Sequence, residues 1–102
     1  MMEIKELVQD IRHELKGADK YAYEAVKHKE EYPSLSQVYA RIAREKLENV
    51  NDLHKEIVAM IDKARRAGAE IPAGMAAIWD FEHRMMVEEQ AMIQHKLEMY
   101  KQ

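Results

Sequence analysis

The chain has 102 residues, 47% apolar and 34% charged, with a net charge of -3 and no cysteine. This excludes a disordered chain, a disulfide scaffold or thiolate metal site and a general nucleic-acid binder. Three Gly and two Pro are few for a sheet protein, whereas the abundant Ala, Glu, Lys, Leu, Met and Arg are the strong helix formers, so a single all-α domain is expected.

The N-terminal stretch MMEIKELVQD lacks the apolar core of a secretory signal. No run approaches the ~18 apolar residues of a membrane span. With no cysteine to oxidise, a cytoplasmic location is expected, with neither membrane nor nucleic acid as partner.

A first helix is predicted over about 4–31. Ile4, Leu7, Val8, Ile11, Leu15, Ala18, Ala22, Ala25 and Val26 recur at spacings of three and four. Tyr32 and Pro33 break it, because the residue before proline avoids the helical region. Ser34, with Gln37 three residues on, has the form of a capping box.

The second helix is predicted over about 35–67. Its apolar set runs Leu35, Val38, Tyr39, Ile42, Ala43, Leu47, Val50, Leu53, Ile57, Val58, Ile61 and Ala64. So wide a stripe suits a helix with two neighbours. Gly68 reads as its C-terminal cap. The basic cluster Lys63, Arg65 and Arg66 lies at this end, where it complements the helix dipole.

Pro72 or Ala73 opens the third helix, over about 73–100. Its apolar residues are Met75, Ile78, Trp79, Phe81, Met85, Met86, Met92, Ile93, Leu97 and Met99. Each helix is then roughly 40 to 50 Å long, and the short loops make neighbours antiparallel. The expected fold is an up-down-up bundle of three long helices. Five of the eight Met residues fall in the third helix. Met adapts to irregular partners, so beside core filling these residues suggest a self-association surface. Two hairpins pairing as a C2 homodimer would complete a four-helix core, with the third helices bracing it.

Folding the first two helices about Pro33 sets position 14 opposite about position 51. Glu14 sits on the apolar stripe between Ile11 and Ala18, facing the region of Lys46, Asn49 and Val50. Folding the third helix about residues 68–71 brings Glu89 to the same height. A polar layer of Glu14, Lys46, Asn49 and Glu89 is therefore expected across the bundle. Buried charges need partners. Lys46 has the sign to neutralise a carboxylate, and Asn49 can both donate and accept.

On the second helix, Tyr39, Ala43, Leu47, Val50, Leu53, His54, Ile57 and Ile61 match in kind and phase the ferritin-like superfamily. The resemblance is to its small rubrerythrin-like and hairpin members. Glu14, followed seven residues later by Tyr21, fits the first helix of that pattern. The similarity covers about positions 11 to 61. It implies a ferritin-like fold, with Glu14 at the place of a metal ligand. Where the family carries Glu-x-x-His, this chain has Lys46 and Asn49. An ammonium cannot ligate while charged, and an amide oxygen is a poor substitute for imidazole. The resemblance therefore implies a degenerate metal site, in which Lys46 supplies the positive charge.

No Ser-His-Asp order, phosphate loop or nucleophile elbow is found, and nothing else suggests an enzyme. The expected function is that of a non-catalytic protein that associates with itself or a protein partner, without a cofactor. The alternative is an iron- or manganese-binding storage or redox protein with ligands shared across a dimer. Its candidate ligands are Glu14, Glu48, His54, Glu82 and Glu89. Glu45 and Glu48 lean off the seam, towards a solvated face. His83 and His95 have no partner at ligand spacing, and His13 and His28 are expected to be exposed.

Overall fold

The computed structural model describes residues 2–101, with side chains from 4 onward. Three α-helices follow one another, α1 (Met2–Lys27), α2 (Pro33–Arg66) and α3 (Ala73–Lys101). Among the described residues there is no strand. The rod measures 56 × 18 × 18 Å, the length that a 34-residue helix at about 1.5 Å per residue requires. None of the helices is long and apolar enough to cross a membrane.

Cross-helix pairs fix the directions. Glu14 meets Lys46 and Ala25 meets Ser36, so α1 and α2 run antiparallel. Arg12 meets Glu82 and Asp19 meets Lys96, so α1 and α3 run parallel. The helix with two packed neighbours is α1, not α2. Between α2 and α3 the backbones stay apart, and side chains bridge them.

The buried core is a single cluster. Near the first loop it is built from Ala18, Ala22, Ala25, Ala40 and Ala43, which let α1 and α2 approach closely. Towards the other end the core is built from the larger Ile4, Ile11, Leu15, Leu47, Val50, Ile57 and Ile61. The third helix adds only Met86, Ile93 and Leu97. Core filling does not hold for Met85, Met92 and Met99, which are exposed, as are Ile78 and Phe81; Met75 is half-buried.

Two helix ends differ from expectation. The first helix stops at Lys27, not Glu31, and α2 starts at Pro33, not Leu35. Pro33 takes the first helical turn, where its missing N–H is not needed. Residues 28–32 must then reverse the chain, which leaves no room for another turn of α1. The capping box does not form. Tyr32 is the N-cap and makes no side-chain cap hydrogen bond. At the other end, Gly68 has φ 78. Its N–H donates to the Arg65 carbonyl at 3.0 Å, and that of Ala69 to the Ala64 carbonyl at 3.0 Å, the paired bonds of a Schellman cap.

Ser36, not Ser34, ties the hairpin. It is fully buried, and its Oγ donates to the carbonyl of Ala25. That carbonyl lies in the last turn of α1, where intrahelical donors run out. Ser36→Ala is expected to leave it unpaired and to cost about 1–3 kcal/mol, measured by urea unfolding. A loss below about 0.5 kcal/mol, the low end for a hydrogen bond, would show that the tie is dispensable.

Candidate functional site

The site lies at mid-height between α1 and α2. Lys46 Nζ donates to Glu14 Oε2 at 3.3 Å. The two side chains are 27% and 23% exposed, so neither is sealed from water and the pair is half-buried. The Lys46 stem lies across Gly17. A Cβ at residue 17 would stand 2.8 Å from both Cδ and Cε of Lys46. Gly17 therefore makes the channel through which the ammonium reaches Glu14 along the surface of α1. Spacing alone gave no signal for this, because a glycine inside a helix reads only as a weak helix former.

The expected four-residue layer contracts to this pair. Asn49 and Glu89 are exposed. Residues 49 and 50 point about 100° apart on a helix, and Val50 takes the buried seam at 0% exposure. Glu89 lines a cleft between α1 and α3, on the flank away from the α1–α2 seam. Beside the pair lies an open depression of about 340 Å³, lined by Asp10, His13, Glu14, Asn49, Asp52 and Leu53. It hydrates Glu14.

The remaining metal candidates are dispersed. Glu48 is exposed. Glu45 is exposed and pairs with Arg41 Nη1 at 2.9 Å along its own helix. Glu82 is tied to Arg12, whose Nε donates to Oε2 at 2.8 Å and whose Nη2 pairs with Oε1. This bond and the Lys96–Asp19 pair hold α3 against α1. His54 meets neither Glu82 nor Glu89. Among the described residues, no group of three or more His, Asp or Glu is close enough to hold a metal ion.

His54 instead joins a stack that sequence spacing did not reveal. Its ring lies 5.1 Å from that of His83 and 5.8 Å from that of Trp79, with interplanar angles of 22° and 20°. Trp79 and His83 are one turn apart on α3, so the stack joins α2 to α3. The hydrogen bond from Gln90 Nε2 to Asn51 Oδ1, 3.2 Å, spans the same gap. His28 is also drawn in, contrary to expectation. It lies half-buried beside Tyr32 and Tyr39, with Nε2 3.0 Å from Glu24 Oε2. His13 and His95 are exposed.

Burial, and secondarily the positive charge of His83, hold the His54 imidazole below its ordinary pKa of 6.5. The unfolded chain then binds more protons than the folded one between that lowered value and 6.5. Stability is thus fullest above pH 6.5, and this contribution is lost as pH falls from 6.5 through the folded pKa. Unfolding midpoints measured between roughly pH 8 and 5 should fall on the acid side, and His54→Phe should flatten that fall. An unchanged profile in the variant would remove His54 as its source.

Compared with known proteins, the chain matches no family model, no curated protein and no solved structure.

Proposed function

We propose that this chain is a non-catalytic, ferritin-like helical protein that acts through self-association or binding to another protein. In this reading the Glu14–Lys46 pair replaces the metal centre that a ferritin-like hairpin would hold between its helices. The observation that carries the proposal is the Lys46 ammonium, 3.3 Å from Glu14 at mid-height of the α1–α2 hairpin, with its stem across Gly17. A metal centre needs carboxylates and imidazoles converging on one point. Here one carboxylate meets one cation, and Asn49, at the place of the imidazole, is exposed. The pair sets the height at which α1 and α2 meet, the best-attested role of polar groups in helix packing.

The test is metal stoichiometry. Untagged protein is incubated with ferrous or manganous ions, and bound metal is counted per chain. The proposal expects no tight stoichiometric binding. Tight binding that disappears in Glu14→Gln would overturn it in favour of an iron or manganese protein.

A further inference from the structure

The third helix carries two apolar seams, and the bundle uses one. Trp79, His83, Met86, Gln90, Ile93, Leu97 and Tyr100 alternate at spacings of four and three, and all are buried or half-buried. This seam faces α1 and the edge of α2. A second stripe lies about 100° around the helix, one residue out of phase. It comprises Ile78, Met85, Met92 and Met99, spaced by seven, with Phe81 between the first two. These five side chains are between 38% and 62% exposed. A seam between paired helices places apolar residues every three and four positions. Here Ile78, Met85, Met92 and Met99 hold one position of each heptad, Phe81 fills the first intermediate position, and Glu88 and His95 stand at the next two.

We infer that this stripe is the contact between two copies of the chain, with the two third helices packed antiparallel about a two-fold axis near residue 90. The inference rests on the self-association reading above and assigns its surface. It moves the contact from the hairpin faces to α3, because α1 already has α2 on one flank and α3 on the other.

Area and symmetry select a second copy as the occupant. A large apolar side chain presents on the order of 200 Å², so the five expose roughly 500 Å² per chain. Two copies would bury about 1,000 Å², the size at which specific interfaces begin. In an antiparallel pair centred near residue 90, Phe81 meets Met99 of the second copy. Met85 then meets its His95, and Glu88 meets its Met92. On one flank Arg84 falls opposite Glu98. On the other, Glu82 and Lys96 are already paired with Arg12 and Asp19 of α1, and Glu89 falls beside its own copy. The small Ala91 lies beside its own copy at the axis, which permits close approach. A parallel pair would instead set Glu88 against Glu88 on the seam, where like charges repel.

The test combines sedimentation with cross-linking of the full chain, which has no native cysteine. Wild type should dimerise. The double variant Met85→Glu/Met92→Glu should keep its helical circular dichroism while weakening the dimer at least about 100-fold. Phe81→Cys/Met99→Cys should give a covalent dimer on mild oxidation, and each single variant should give little. An internal bridge is out of reach, since 18 residues of helix separate the two positions by about 27 Å and a disulfide needs Cα atoms within about 7 Å. A dimeric wild type whose Met85→Glu/Met92→Glu variant stays dimeric overturns the α3 surface and leaves self-association standing. Single-cysteine variants that cross-link as well as the double overturn the register. A wild type that is monomeric at every concentration overturns both the surface and self-association.

Discussion

Ile57→Ala is expected to destabilise the fold by about 3–4 kcal/mol, within the range for emptying a fully enclosed Ile site. Ile57 is 0% exposed and belongs to the end of the α1–α2 core built from large side chains, with Ile4, Ile11 and Ile61. The buried side chains around it are large and branched, so the site cannot close over a lost side chain without disturbing them. For a domain of this size the loss amounts to about 15 °C in Tm and a large share of a total stability of about 5–15 kcal/mol. Ile57→Val removes one methylene and should cost only about 1 kcal/mol. Urea unfolding followed by circular dichroism measures both. Equal effects for the two variants would show that this end of the core is loosely filled.

The elements of this fold were readable because their boundaries are chemical. Pro33 fixes the start of α2, Gly68 its end, and Pro72 the approach to α3. The end of α1 was not readable. Residues 28–31 contain no Gly or Pro, and only the need to reverse before Pro33 stops the helix at Lys27. Ser36 escaped for a related reason. Its role depends on which α1 carbonyl lies across the hairpin, and that is a tertiary fact.

Heights along the rod came through better than rotations about it. The rise of a helix is fixed, so folding at Pro33 sets position 14 opposite about position 51; the structure pairs Glu14 with Lys46, a little over one turn from there. Rotation is decided by competition among adjacent residues. Val50 outcompetes Asn49 for the seam because burying an amide costs more than burying an isopropyl group. The same competition hides the division of labour on α3. Its two apolar stripes have nearly the same period and differ only in phase, so periodicity shows that both exist and not which of them meets α1. The cross-helix pairs Arg12–Glu82 and Asp19–Lys96 fix that phase in the folded chain.

Lys46→Glu is the substitution at the site with the largest expected effect. It removes the cation and sets a second carboxylate near Glu14 in a half-buried position. A loss of about 2–3 kcal/mol is expected at neutral pH, below the 3–5 kcal/mol of a sealed charge because the depression beside Glu14 admits water. Lys46→Met keeps a stem over Gly17 and adds no charge, so it should cost only about 1 kcal/mol. The two variants should also differ in acid. Two carboxylates sharing a site raise the pKa of the pair in the folded state. The folded variant then holds more protons than the unfolded chain, and its stability rises relative to wild type as pH falls through that raised pKa. Lys46→Met gives no such recovery. Combining Lys46→Glu with Glu14→Lys restores one charge of each sign and should regain most of the loss. A charge swap no more stable than Lys46→Glu alone would mean that Lys46 serves through its stem over Gly17, and that its ammonium does not hold Glu14.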